Sequence, residues 1–228
     1  LIKKSDNISS YLKYRSLVLI IASNQADCLS GYVGFLRKNH VVMFVDNDIS
    51  QINLNVLIKN YDPDFLFLEK SNNINKKKSF SPVLNLEKYI LLKNKFSLKK
   101  NINKDLSLLL ATSGSTGNPK FVRISNKNLM FNTNSISKFL KIDNNHKAIT
   151  TLPMNYTYGL SIINTHLFKG AKIVLTDDKI ISKSFWELLK NTKVSTFGGV
   201  PFIYEILSKL KIEKLDLKHI KYFTQAGG

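Results

Sequence analysis

The chain is poor in the residues that mark secreted, membrane-spanning or nucleic-acid-reading proteins. Among its 228 residues are one cysteine and one tryptophan, and arginine occurs only at positions 15, 37 and 123. The lone Cys28 excludes an internal disulfide and fits a reducing compartment, so a cytoplasmic location is expected. No apolar run approaches the length of about 18 residues that a membrane helix needs, and the longest, Leu17 to Ala22, has the length of a strand. The opening residues carry no secretory-leader pattern. The net charge of +18 would suit a nucleic-acid partner. The guanidinium forks that read phosphates and bases are nearly missing, however, and lysine is spread along the chain beside abundant Asn and Ile. A dispersed, solvated positive charge is expected, with no nucleic-acid partner. His40, His146, His166 and His219 show no metal-ligand spacing, so no metal site is expected and each is read as structural or exposed. No Ser-His-Asp arrangement emerges.

What the chain does have is concentrated in one stretch. Leu108-Leu109-Leu110-Ala111 is an apolar run that feeds Thr112-Ser113-Gly114-Ser115-Thr116-Gly117-Asn118-Pro119-Lys120. Gly114 and Gly117 can take positive φ, which lets successive backbone N–H groups turn inward as an anion nest. Thr112, Ser113, Ser115 and Thr116 add hydroxyl donors, and Lys120 adds a point charge. The Walker P-loop does not fit, because Pro119 precedes the lysine and Phe121 follows it. Phe121-Val122-Arg123-Ile124 reads as a strand, so the unit is strand–loop–strand, with no helix beginning at Lys120.

The pattern Thr-Ser-Gly-Ser-Thr-Gly-x-Pro-Lys resembles the phosphate loop of the AMP-forming adenylating enzymes: acyl-CoA synthetases, luciferases and the adenylation domains of peptide synthetases. The remainder of the chain is compatible with that resemblance. Runs at 17–22, 41–45 and 65–68 read as strands, separated by helices in which Asp27 and Ser50 are candidate caps. On the second of these helices Ile52, Val56 and Leu57 are the expected apolar face. Gly31 and Gly34 lie on the first and suggest close packing against a sheet. Residues 71–104 read as a connector with one or two short strands. Beyond the loop, helices are expected after Ser125 or Asn126, after Leu160 as far as Lys169, after Ser184 and at Pro201, alternating with strands at 147–151, 172–175 and 194–197. The fold class is therefore α/β, with parallel-rich sheets flanked by helices. Residues 1–104 are expected to form a first subdomain with its connector, and 105–228 a second that carries the loop.

In such sheets ligands bind beyond the carboxyl ends of strands. Four segments leave such ends: 112–120, 153–159, 198–201 and 226–228. All four resemble landmarks of the adenylating family, in the same order, so the chain looks like part of that family's large N-terminal domain. The resemblance implies that Thr112, Ser113, Gly114, Ser115, Thr116, Gly117 and Lys120 bind the ATP phosphates, with Thr116 and Lys120 catalytic. It implies an acyl and adenine pocket from Tyr156, Tyr158, Gly159, Gly198, Gly199, Val200, Gly227 and Gly228. Tyr156 stands where the family often carries His.

The implied reaction activates a small-molecule carboxylic acid to acyl-AMP, releasing pyrophosphate, and then passes the acyl group to a thiol. That thiol belongs to coenzyme A or to the phosphopantetheine of an acyl carrier protein. The ligand for Mg2+ and a C-terminal lid are expected downstream of Gly228, so the isolated chain is expected to be an inactive fragment. Aliphatic acids are the first expectation, because no buried charge near Tyr156 or Gly199 would pair an amino group. A non-catalytic binding or scaffold module with the same fold is the alternative.

Overall fold

The computed structural model describes residues 1–73, 78–98, 100–111, 120–210 and 217–227. Two compact units follow one another, Leu1–Leu129 and Met130–Gly228.

The first unit is built on a seven-stranded sheet. The strands β1 (Leu17–Ile21), β2 (Val41–Val45) and β3 (Phe65–Glu69) alternate with the helices α2 (Ala26–Arg37) and α3 (Gln51–Tyr61), and β1 pairs in parallel with both β2 and β3. Every residue of β1 and β2 is buried, as continuous apolar runs require when both faces of a parallel sheet are covered. The alternation of side chains sends Leu17, Leu19 and Ile21 toward Leu54 and Leu57 of α3. On the other face Tyr32 and Phe35 of α2 meet Phe44 and Phe67, with ring centroids 5.2 and 5.5 Å apart.

The connector supplies two strands, β4 (Phe80–Asn85) and β5 (Tyr89–Asn94), which form a hairpin and add to β3 in antiparallel fashion. Tyr89 anchors that hairpin by donating its hydroxyl to the Ile21 carbonyl at 2.8 Å. On the opposite side β6 (Leu106–Ala111) joins β2 in parallel, and β7 (Phe121–Ser125) turns back antiparallel to β6, giving the order β4-β5-β3-β1-β2-β6-β7.

The pairing of β6 with β2 explains a difference from the sequence reading. A boundary at 104/105 groups the loop-bearing strands with the second half, whereas the contacts divide the chain between Leu129 and Met130. Other local details also differ. Residues 2–9 form a helix, α1 (Ile2–Ser9), whose Ile8 is fully buried. Gly31 does face the sheet, at Phe67, but Gly34 faces the Ser5 carbonyl of α1. Asp27 is not a cap. It pairs with Lys4 and accepts the N–H groups of Lys88 and Tyr89 at 2.8 and 3.2 Å. Burial pushes its carboxyl up, and those three donors outweigh burial and hold it below the usual carboxylate range. On α3 Ile52 is 75% exposed, and the core face is Leu54 with Leu57. Ser50 does cap that helix, accepting from the Asn53 N–H at 3.2 Å.

The second unit is a four-stranded, all-parallel sheet in the order β11-β10-β8-β9, from β8 (Lys147–Ile149), β9 (Lys172–Val174), β10 (Thr196–Gly199) and β11 (Tyr222–Gln225). On one face α6 (Lys183–Asn191) and α7 (Pro201–Lys209) bury Phe185, Leu189, Ile203 and Leu207 against Phe197. Ser182, two residues before the expected Ser184, caps α6 by accepting from Phe185 N–H at 3.3 Å. The helices α4 (Asn126–Phe139) and α5 (Thr157–Phe168) complete the described elements. Among the described residues no helix is long and apolar enough to cross a membrane.

Candidate active site

The strand–loop–strand unit is present. Ala111 at the end of β6 pairs with Phe121 at the start of β7, so residues 112–120 bridge two adjacent antiparallel strands. Lys120 sits immediately before β7 and is exposed. No helix begins there. The next one, α4, starts at Asn126, and Ser125 Oγ accepts from the Asn128 N–H at 3.1 Å. Residues 112–119, which hold Thr112, Ser113, Gly114, Ser115, Thr116 and Gly117, lie outside the described residues, as does Gly228.

The second unit contains a cavity of about 740 Å³ between α4, α5 and the sheet. Tyr156, Tyr158, Gly198 and Gly227 all line it, so four of the expected pocket residues are brought together. At its mouth Gly227 has φ +77°, in the left-handed region, and a Cβ there would stand 2.4 Å from the Tyr156 hydroxyl. The tyrosine therefore rests directly on the glycine backbone. Tyr158 donates its hydroxyl to Thr224 Oγ1 at 2.7 Å, and Tyr204 donates to the Thr224 carbonyl at 2.6 Å. Burial raises both phenols, Tyr204 to about 12, so both remain neutral donors near neutral pH.

Two expected residues take supporting places instead. Gly159 lies beneath the start of α5 against the Pro153 carbonyl. Gly199 faces Ile203 of α7, while Val200 packs against the α7-side core and also stands beside Gly227, 3.6 Å from where a Cβ there would lie. Neighbouring residues of β10 point to opposite faces, so Gly198 looks toward Ile162 of α5 and Gly199 toward Ile203 of α7.

The sequence reading missed Ile162, Thr196 and Thr224, while His166, read as structural or exposed, is a buried structural residue of the cavity wall. Its Nδ1 lies 2.8 Å from the Ile162 carbonyl and its Nε2 3.0 Å from Thr196 Oγ1. The carbonyl requires a proton on Nδ1, which leaves Nε2 to accept from the threonine. Burial lowers its pKa and keeps the ring neutral. One signal was available: Tyr158, Ile162 and His166 recur at helical spacing, and all three line the cavity. Among the described residues no group of His, Cys, Asp or Glu is arranged to hold a metal ion.

A sequence model described as "AMP-binding enzyme" matches residues 3–228. The chain belongs to the AMP-binding enzyme family. Within curated members, it is 30% identical over 128 residues to an acyl-CoA synthetase of Alternaria alternata, covering 55% of this chain and 22% of that protein. It is 26% identical over 180 residues to the 2-succinylbenzoate–CoA ligase of Haemophilus influenzae, covering 79% of this chain and 35% of that protein. Solved members of the AMP-binding fold superpose on nearly all of it. The O-succinylbenzoate coenzyme A synthetase of Bacillus subtilis, in complex with AMP, gives a TM-score of 0.75 at 17% identity over 99% of this chain and 60% of that one. ATP-bound MatB of Rhodopseudomonas palustris gives 0.79 at 18% identity, over 99% and 48%. The aligned region thus spans about a fifth to a third of these two curated relatives, and 48–60% of these two solved chains.

Proposed function

We propose that the full-length protein activates a carboxylic acid with ATP, forming acyl-AMP and pyrophosphate, and then transfers the acyl group to a thiol, coenzyme A being favoured by the names of its relatives. The observation that carries this reading is the Thr/Ser/Gly loop ending in Pro119-Lys120, set between paired strands β6 and β7 of an AMP-binding chain. Its donor set of four hydroxyls, glycine-flanked N–H groups and one ammonium suits a polyphosphate. Thr112, Ser113, Ser115, Thr116 and Lys120 would hold the phosphates of ATP, with Gly114 and Gly117 permitting the loop's shape. Magnesium, when bound, would neutralise phosphate charge, and no ligand for it is assigned among the described residues.

The chain's own residues then have separable tasks. Lys120 holds charge that accumulates on the departing pyrophosphate. The cavity under Tyr156 and Tyr158 holds the acid and excludes water from it. The rate gain comes from holding two anions in line, without a covalent enzyme intermediate. Gly227 and Gly228 would lie where backbone approaches substrate and adenine, with Tyr156 packed on the former.

Pyrophosphate release by the full-length protein, on adding ATP and a carboxylic acid, tests the reading. Lys120→Ala removes one charge-assisted contact and is expected to cost about 1.5–3 kcal/mol, or about 10- to 150-fold in rate. Lys120→Arg should restore only part of it, since a planar fork replaces a compact ammonium. An unchanged rate in Lys120→Ala takes the lysine out of the site.

A further inference from the structure

We propose that the turn at 95–98 in the first unit is a peripheral docking site for a bilayer bearing anionic lipid. Phe96 and Leu98 enter the interface, and the lysines around them meet the headgroups. This goes beyond the acid-activating reading and does not depend on it.

The turn follows β5 and lies at the amino ends of the parallel strands, since Lys93 of β5 pairs with Phe65 at the start of β3. The 112–120 loop leaves the carboxyl end of β6, which is parallel to β2, as β2 and β3 are to β1. The turn and the loop therefore stand at opposite ends of one sheet.

The backbone of the turn is tied down. Asp62 accepts the Leu98 N–H at 3.0 Å and the Asn94 side-chain amide at 3.1 Å. Asn94 Oδ1 accepts the Phe96 N–H at 3.0 Å. Lys100 reaches Asp62 at 3.2 Å and Asp64 at 3.7 Å. Ser97 faces inward and lines a hollow with Tyr14, Arg15 and Lys100. Phe96 and Leu98, on either side of it, are 73% and 75% exposed. Single exposed apolar residues are ordinary on a protein surface. These two differ because the hydrogen bonds that fix the turn hold both large side chains in water together. Across the hollow Tyr14 is 56% exposed, an aromatic ring of the kind that settles at headgroup level.

Charge completes the match. Lys13, Lys93 and Lys95 are exposed. The carboxylates of Asp62 and Asp64 are engaged by Lys100, by Asn94 and by the N–H groups of Leu17 and Leu98. At a negatively charged bilayer the apolar side chains leave water and each lysine gains from the surface potential. A nucleic-acid duplex would use the charge and leave Phe96 and Leu98 in water.

The test uses the full-length protein and sedimented vesicles of phosphatidylcholine, alone or with about a third phosphatidylserine. Leu98→Cys carries an environment-sensitive fluorophore, with the identically treated parent, in which Cys28 is buried, as the blank. The anionic vesicles should be bound at least about tenfold more tightly than the neutral ones, and the fluorophore should enter an apolar environment only when they are added. Phe96→Ser combined with Leu98→Ser should weaken binding about tenfold, as should Lys13→Glu combined with Lys95→Glu. Both apolar side chains are exposed, so the double serine variant should unfold at the parent's temperature. Absence of binding to the anionic vesicles overturns the inference, and so does binding that the double serine variant leaves unchanged. A fluorophore already in an apolar environment without vesicles overturns it as well. At every dilution, that result means that another part of the same chain covers the turn; only at high protein concentration, it means that a second copy does.

Discussion

The two units bury their sheets in different ways. In the first, β1 and β2 are closed on both faces, and large rings such as Phe35, Phe44 and Phe67 are fully buried among one another. In the second, one face of the sheet is sealed by Phe185, Leu189 and Leu207, while the other carries Thr196, Gly198 and Thr224 and borders a cavity of about 740 Å³. Aromatic and branched side chains fill space to crystal-like density, whereas glycine and threonine leave it open. A filled face and an open one thus arise from the same α/β alternation through the choice of side chains on one sheet face.

Substitutions that remove or add atoms on either side should expose this contrast. The largest effect is expected from Phe67→Ala in the first unit. Its ring is fully buried, 4.8 Å from that of Tyr89, and truncation should cost about 3–5 kcal/mol in urea unfolding. A cost under about 1 kcal/mol would mean the first unit is as loosely filled as the second.

A titration should come next in size. His40 is buried beside Phe35, with the Ser16 N–H 3.3 Å from Nδ1. Burial, reinforced by the Arg15 guanidinium and opposed by Asp64, lowers its pKa from 6.5 to about 4. Protons then favour the unfolded chain between these values. The stabilisation is complete above pH 6.5 and is lost as pH falls toward 4, by about 3 kcal/mol in all. His40→Gln should flatten that slope in unfolding measured across pH. An equally steep slope in the variant would assign it to other groups.

Smaller still is Gly34→Ala. A Cβ at Gly34 would stand 2.2 Å from the Ser5 carbonyl, a backbone atom of α1 that yields only if the helix moves, so about 1–3 kcal/mol is expected. Hydrogen exchange should show the loss in α1. Gly198→Ala in the second unit is the matched control, because its nearest neighbour is the flexible end of Ile162. The smallest effect is expected from Ile162→Ala. It enlarges a cavity that already exists, so thermal or urea unfolding should register less than about 1 kcal/mol. A loss comparable to that of Phe67→Ala would mean that Ile162 supports the core rather than lining the cavity.

Much of the molecule was legible in the order of its residues. The apolar runs at 17–22, 41–45 and 65–68 read as strands, and β1, β2 and β3 lie on them, because continuous apolar residues of that length bury on both faces of a parallel sheet. The β-type run after Lys120 placed a strand there, and β7 follows, antiparallel to β6. Ser50, Ser125 and Pro201 marked helix starts, since capping is a local interaction of side chain with backbone.

What depended on distant partners was not legible. Asp27 looks like a cap in sequence, yet its carboxylate is claimed by Lys88 and Tyr89, some sixty residues away. The loop strands belong to the first sheet only because β6 finds the open edge of β2. Gly198 enters the cavity and Gly199 does not, because pleat and register decide which of two identical neighbours faces α5. Local chemistry is written residue by residue along the chain, whereas the cavity exists only where two helices and two strands, separated in sequence, enclose a common space.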